Sequence, residues 1–280
     1  MTNRISFQGE AGANSQIACR EAYPGLEPLP CATFEDAFQA VSDGSAKYAM
    51  IPVENSVAGR VADVHHLIPE SNLYVIAEHF LPVKHQLIGL PNATLDGLKR
   101  VMSHPQALGQ CRKFLREMKL EAVKTADTAG AAREIKELGD PATGALASSL
   151  AAEIHGLKIL KADLADAAHN TTRFLVFASE PDDADVDHGP CMTSFVFRVR
   201  NLPAALYKAL GGFATNGVNI TKLESYLEGG QFSAAMFYAE IEGHPEQRSV
   251  KLAMEELSFY SSYLKVLGVY PANAFRRSVP

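Results

Sequence analysis

Asn170-Thr171-Thr172-Arg173-Phe174 runs without a break into Leu175-Val176-Phe177-Ala178. Two hydroxyls, an amide and a guanidinium therefore stand at the head of an apolar run that reads as a buried strand. Ile51-Pro52-Val53-Glu54-Asn55-Ser56 has the complementary form, an apolar run that ends in polar side chains. In α/β proteins a site gathers at strand ends, so the two clusters are expected to serve one cleft.

Outward from these clusters, strand and helix signals alternate. Residues 4–7 read as a strand leading into Gly9, Gly12, Asn14 and Ser15, and a helix over 16–22 follows, capped by the Asn or the Ser. Gly9-x-x-Gly12 matches neither the dinucleotide nor the P-loop spacing. A plain turn is its stronger reading, with a small anion at the helix start as the alternative. Thr33 caps a helix over 34–41 whose Phe34, Ala37, Phe38 and Val41 recur at helical spacing, and residues 48–53 form a strand. Strands over 73–78, 86–89, 100–102, 121–125 and 144–147 then interleave with helices over 106–118 and 129–138, which means α/β layering.

Residues 179–190 hold two prolines, four aspartates and one glutamate with few apolar side chains, the composition of a linker. Beyond it, a strand over 193–199, a helix over 204–215, strands over 220–226 and 232–240, a helix over 245–256 and a strand over 261–269 give βαββαβ, the ferredoxin-like split motif. That segment has no catalytic constellation, because Glu224 and Ser225 lack a neighbouring histidine or second acid. Binding or assembly is its expected task, and two copies paired edge to edge would cover its exposed strands.

The 280 residues are 47% hydrophobic and 21% charged, ordinary for a globular chain with one or two cores. A net charge of −6 without a Lys/Arg block excludes nucleic acid as a partner. The sequence has no secretory pattern and no apolar run of membrane-spanning length, so a cytoplasmic protein off the membrane is expected. Cys19, Cys31, Cys111 and Cys191 are far apart without C-x-x-C spacing, which predicts reduced thiols and no metal centre. His65, His66 and His169 have no acid or cysteine at ligand spacing, and solvated or helix-face roles are favoured for them.

Glu54, Asn55, Ser56, Ser103, His104, Gln106, Thr172 and Arg173 form a set of mostly neutral donors with one acid, one imidazole and one cation. Such a set suits an oxygen-rich anion, and several members fall where a strand gives way to a helix, whose free N–H groups favour carboxylate. Taken singly, Ser103 serves equally well as a helix cap, His104 as a structural histidine and Asn55 as a turn residue.

Ile51-Pro52-Val53-Glu54-Asn55-Ser56 with Gly59, Ser103-His104-Pro105-Gln106-Ala107 and Thr172-Arg173-Phe174, in that order and spacing, resemble prephenate dehydratase over nearly the whole chain. Asn201-Leu202-Pro203, Ala205-Leu206 and Asn219-Ile220-Thr221-Lys222-Leu223-Glu224-Ser225 resemble the ACT regulatory domain that follows the catalytic domain in that family. The resemblance implies a two-subdomain, type 2 periplasmic-binding-protein-like catalytic domain over residues 1–179, with its subdomains split near 77 and 168. A linker over 180–191 and a ferredoxin-like ACT domain with a C-terminal tail over 192–280 would follow.

The implied activity is conversion of prephenate to phenylpyruvate, carbon dioxide and water. Formation of the aromatic ring drives it, so no electron-sink cofactor is required. The implied catalytic residues are Thr172, which donates to the departing hydroxyl, Asn55 and Gln106, which orient the substrate, and Glu54, which holds the network or supplies the proton. Ser15, Ser56, Ser103, Arg173 and Phe174 are the expected substrate contacts. L-phenylalanine would bind between paired ACT domains through Asn201, Leu202, Pro203, Ala204, Ala205, Leu206, Asn219, Leu223, Glu224 and Ser225. A homodimer or homotetramer assembled through the ACT and catalytic domains is implied.

The sequence departs from that family where a glycine commonly precedes Ala205 and is here Ala204, and where Arg-Pro commonly follows Glu-Ser and is here Tyr226-Leu227. Arogenate dehydratase, which performs the same elimination on the amino analogue, and a non-catalytic ligand sensor are the competing readings. The donor set at Asn55, Gln106 and Thr172 argues against the sensor.

Overall fold

The computed structural model describes residues 2–167, 169–200, 202–227 and 234–277. Its elements are, in chain order, β1 (Arg4–Gln8), α1 (Asn14–Ala22), β2 (Glu27–Cys31), α2 (Phe34–Ser42), β3 (Tyr48–Asn55), β4 (Gly59–Arg60), α3 (Ala62–His65), α4 (Leu67–Glu70), β5 (Tyr74–Pro82) and β6 (Gln86–Gly89). Next come β7 (Arg100–Ser103), α5 (Pro105–Gln110), α6 (Arg112–Glu117), β8 (Glu121–Lys124), α7 (Thr128–Leu138), β9 (Thr143–Ala147), α8 (Ser149–His155), β10 (Lys158–Lys161) and β11 (Thr171–Ala178). The last are β12 (Cys191–Val199), α9 (Ala205–Thr215), β13 (Ile220–Leu227), β14 (Ala234–Glu242), α10 (Arg248–Tyr260) and β15 (Ser261–Pro271). Two compact units emerge: Met1–Val61 with His79–Phe174, and Ala62–Glu78 with Leu175–Pro280.

The fold is mixed α/β, as expected. One sheet has the order β2-β1-β3-β11-β5, with β4 paired to β3, and a second has the order β10-β6-β9-β7-β8. The strands of the second all lie between Gln86 and Lys161, and the chain then returns to the first as β11, inserted between β3 and β5, the type 2 periplasmic-binding-protein-like pattern. The second sheet is covered by apolar clusters on both faces, Leu87, Val101, Phe114 and Leu146 on one and Ile88, Ala131, Ile135 and Ala145 on the other. Burial on both faces explains why β9 is buried at every position.

Local chemistry sets the helix ends. Thr33 and Asp36 form a reciprocal capping box on α2. Asp127 and Ser148 cap α7 and α8, and each helix stops at a left-handed glycine, Gly139 and Gly156. Two expectations need correction, and two further stretches form elements that the sequence reading did not include. Helix α1 begins earlier and is capped by the backbone of Ala13, with Asn14 and Ser15 inside its first turn. The helix expected over 106–118 is two, α5 and α6, broken at the buried Cys111, whose φ of −117° and ψ of 21° are not helical. Strand β2 was hidden by Pro28 and Pro30; it lies at the sheet edge, where a proline lacking an N–H costs no ladder bond on its open side. Helix α8 and strand β10, between residues 149 and 161, were not anticipated.

In the second unit β13-β14-β12-β15 form an antiparallel sheet with α9 and α10 on one face, the βαββαβ order expected. Phe195, Phe197, Phe213, Phe237, Val250 and Leu257 make the core between them. No helix among the described residues is long and apolar enough to cross a membrane.

Candidate active site

The site is built on the ends of β3 and β11 in the first unit, and its logic starts at Asn55. The last residue of β3, Asn55 accepts at Oδ1 from the backbone N–H groups of Val57 (3.0 Å) and Ala58 (2.9 Å). Two fixed backbone donors leave only one orientation for the amide, so Nδ2 must point away and donate. It donates to Asn170 Oδ1 (2.8 Å) and to Thr172 Oγ1 (3.0 Å). Asn170, its oxygen so occupied, donates from Nδ2 to Gln110 Oε1 (3.0 Å), and His85 Nε2 meets the same Oε1 at 2.7 Å. The chain thus has a fixed polarity. At one end Thr172 Oγ1 is an acceptor whose own proton has no acceptor among the described residues; at the other, Gln110 Nε2 is buried with no partner among them.

Thr172, Asn55, His85 and Gln110 line a cavity of about 230 Å³ together with Ser15, Gln106, Phe174, His104, Asp127 and Thr128. The first turns of α1 (Ala13, Asn14, Ser15), α5 (Gln106, Ala107) and α7 (Thr128) open onto it. Unpaired N–H groups at helix starts, each end equivalent to roughly half a positive charge, favour an anion there. No lysine or arginine lines the cavity among the described residues, so carboxylate binding falls to backbone and neutral donors. His85 is 4% exposed, and burial holds its imidazole below the usual value, which keeps it neutral. The buried Cys19 and Cys111 are pushed up to about 12 by desolvation and remain thiols. No group of three or more His, Cys, Asp or Glu among the described residues is arranged to hold a metal.

Five of the nine sequence-expected site residues meet at this cavity: Ser15, Asn55, Gln106, Thr172 and Phe174. Glu54, Ser56, Ser103 and Arg173 do not line it. Strand alternation accounts for two of these: Glu54 and Arg173 project from the faces of β3 and β11 opposite to Asn55 and Thr172, where they pair at 3.1 Å. Ser56 Oγ donates to the His169 carbonyl and accepts from Thr171 N, so it staples the end of β3 to the start of β11. Ser103 is fully buried and donates to the Leu146 carbonyl at 2.6 Å, which fixes β7 to β9. His104, not Ser103, caps α5, its Nδ1 accepting from Gln106 N at 3.2 Å.

Gln110, Asn170 and His85 carry the network, yet only Asn170 stood out in the sequence, as part of the opening cluster. Gln110 lies four residues after Gln106, one helical turn on and the same face, which was the available signal. His85 offered none.

The sequence pattern of the prephenate dehydratase family matches residues 5–182 of this chain. The chain belongs to the prephenate dehydratase family. It is 50% identical over 273 residues to a bifunctional N-acyl-homoserine lactone acylase/prephenate dehydratase of Komagataeibacter europaeus, covering 98% of this chain and 97% of that one. It is 37% identical to arogenate dehydratase/prephenate dehydratase 1, chloroplastic, of Arabidopsis thaliana, over 98% of this chain and 73% of the relative. Among solved structures, the prephenate dehydratase of Arthrobacter aurescens in complex with L-Phe superposes with a TM-score of 0.88 at 28% identity, covering 96% of this chain and 90% of that one. As a member of this family the protein is a hydro-lyase that acts in aromatic amino acid biosynthesis.

The residues expected to bind an effector lie in the second unit, except that Asn201 is outside the described residues. Leu202 and Pro203 are exposed, and Ala204 has φ 59° and ψ 25°, the left-handed conformation that favours glycine. Ala205 is buried and Leu206 packs against the helix-side core. Leu223, opposite Ala239, faces the helices, whereas Glu224, opposite Tyr238, faces the other side and pairs with Lys222 at 3.6 Å. Asn219 and Ser225 are exposed.

Proposed function

We propose that this member of the family is a prephenate dehydratase, eliminating water and carbon dioxide from prephenate to give phenylpyruvate. One observation carries the reading: the backbone-anchored chain through Asn55 makes Thr172 an acceptor on its inner side, so its proton is turned to the cavity. As the ring carboxylate departs as carbon dioxide, its bonding electrons move through the diene and expel the hydroxyl. Thr172 hydrogen-bonds that oxygen as charge develops, worth on the order of 100 to 1,000-fold in rate, and the proton that completes water comes from solvent. A threonine hydroxyl does not ionise, so its contribution is strongest in the transition state.

Gln110 Nε2 and the amide of Gln106 supply further donors, while Ser15 and the first turns of α1 and α7 hold the arm carboxylate. Glu54 acts as a scaffold through Arg173, and Phe174 gives the ring an apolar wall. Residues 1–179 form the catalytic domain, 180–191 the linker and 192–280 an ACT regulatory domain. There L-phenylalanine binds at a dimer or tetramer interface, with the methyl of the left-handed Ala204 weakening the contact. Support for the effector comes from the Arthrobacter aurescens complex with L-Phe.

Arogenate is the second reading, favoured by one observation: Asp127, the cap of α7, is an acidic residue among those lining the cavity, and an ammonium would offset its charge. The Komagataeibacter europaeus relative's name also carries an acylase activity. No lining hydroxyl here is hydrogen-bonded to a lining imidazole among the described residues, and elimination is the chemistry the cavity supports best. The test incubates purified protein with prephenate and with arogenate and follows phenylpyruvate and phenylalanine. Faster turnover of prephenate is expected, and no product from either substrate would overturn the reading. Calorimetric titration with L-phenylalanine and light scattering test the effector and the assembly.

A further inference from the structure

We propose that His85 is a positioning residue for the elimination, acting through Gln110: it fixes which end of the Gln110 carboxamide faces the substrate. The inference rests on the assignment of the reaction to this cavity. An amide side chain has two orientations that fill nearly the same space, and only its partners choose between them. The choice is made in sequence here. Val57 and Ala58 N–H fix Asn55; Asn55 fixes Asn170 by donating to its Oδ1; Asn170 then has only its NH₂ left to offer Gln110.

His85 closes the chain. Its Nε2 lies 2.7 Å from Gln110 Oε1, an oxygen already receiving the Asn170 N–H. The contact is attractive only if Nε2 carries the proton; a bare Nε2 would set two lone pairs against each other. His85 is therefore the Nε2–H tautomer, and Gln110 Oε1 holds two donors, one on each lone pair. Reversing the amide would set NH₂ against two N–H groups. Gln110 Nε2 is left as the end that lacks a partner among the described residues, buried beside the cavity that both Gln110 and His85 line. A buried donor left unsatisfied in this way calls for an acceptor from outside the protein, and a substrate oxygen supplies it.

Three measurements test this. In ¹⁵N-histidine NMR of the whole protein at neutral pH, His85 is expected to show a protonated Nε2 and a bare Nδ1; the opposite tautomer would overturn the proposal whatever the variants do. His85→Leu, which removes the donor, is expected to lower kcat by about ten- to a hundred-fold through misplacement of a substrate-orienting amide. His85→Gln, which restores an N–H, should recover most of that loss. In the double variant His85→Leu/Gln110→Ala the loss should match Gln110→Ala alone within about twofold, since a residue acting only through Gln110 adds nothing once it is gone. Multiplying losses would show an independent role and defeat the inference. If the wild-type protein turned over neither prephenate nor arogenate, the functional reading itself would fail, whereas an active wild type with the wrong tautomer or multiplicative losses defeats only the role of His85.

Discussion

At the scale of single residues, the site works by constraining hydrogen-bond direction. Thr172 matters because Asn55 occupies its acceptor side at 3.0 Å, leaving the proton outward. Thr172→Val keeps the shape and removes the donor. Its kcat is expected to fall on the order of 100 to 1,000-fold with KM little changed, because the bond matters most as the hydroxyl leaves; steady-state kinetics with kcat unaltered would contradict this. His85 gives a stability signature as well. Burial holds its imidazole below the ordinary value of about 6.5. Above that value both folded and unfolded chains carry a neutral ring, so this group adds no slope. As pH falls below it the unfolded chain takes up the proton first, and the folded state loses stability. The melting temperature is therefore expected to drop between pH 7 and 5, and less steeply in His85→Gln; equal slopes in the two proteins would refute the assignment.

At the scale of elements, the loop between β1 and α1 is held by geometry that tolerates no side chain. Gly12 has φ +94°, and a Cβ there would lie 2.7 Å from Ala151 Cα in α8. Its carbonyl accepts from Ser148 Oγ at 2.5 Å and its N–H donates to Gln16 Oε1 at 2.6 Å. Gly12→Ala combines backbone strain of about 1–3 kcal/mol with that clash. Chemical denaturation should show at least this loss, and KM should rise because the displaced Ala13, Asn14 and Ser15 line the cavity. The conformational demand at Gly12 was within reach of the sequence; the neighbour, Ala151, was not, since the helix that carries it was not anticipated. The same limit runs through the site. The sequence located α2 by helical spacing, since Ala37, Phe38 and Val41 recur on its buried face, and β3 and β6 by short apolar runs in which Ile51 and Leu87 are fully buried. It named the Thr172-Arg173 and Glu54-Asn55 pairs without saying which member faces the cavity, since alternation is invisible until one face is known to be the site. Gln106 and Gln110 share a helical face, but only coordinates show that Gln110 joins the chain through Asn170.

At the scale of the whole molecule, the second unit is assembled from two stretches of sequence, and its integrity depends on how they are tied. The side chain of Glu78, at the end of the first stretch, is fully buried and is held by Arg276 near the end of the second, through Nε at 2.7 Å and Nη2 at 2.8 Å. Arg276 Nη2 also lies 3.7 Å from the buried Glu240, which accepts from Tyr238, and Asn273 N donates to Glu78 at 2.9 Å. One guanidinium thus serves two buried carboxylates. Gly268 in β15 accommodates the same junction, because a Cβ there would fall 1.8 Å from the Val75 carbonyl oxygen. Removing the arginine takes this cation away from both acids in a low-dielectric setting, which costs about 3–5 kcal/mol for a buried pair broken on one side. Arg276→Met is therefore expected to lower the urea midpoint by an amount of that size. Adding Glu78→Gln should return part of the loss, because a buried charge that has lost this guanidinium costs more than the missing contact itself. A loss under about 1 kcal/mol, or a double variant no better than the single, would mean that the guanidinium contributes as a surface ion pair does and that the unit holds together by its apolar core alone.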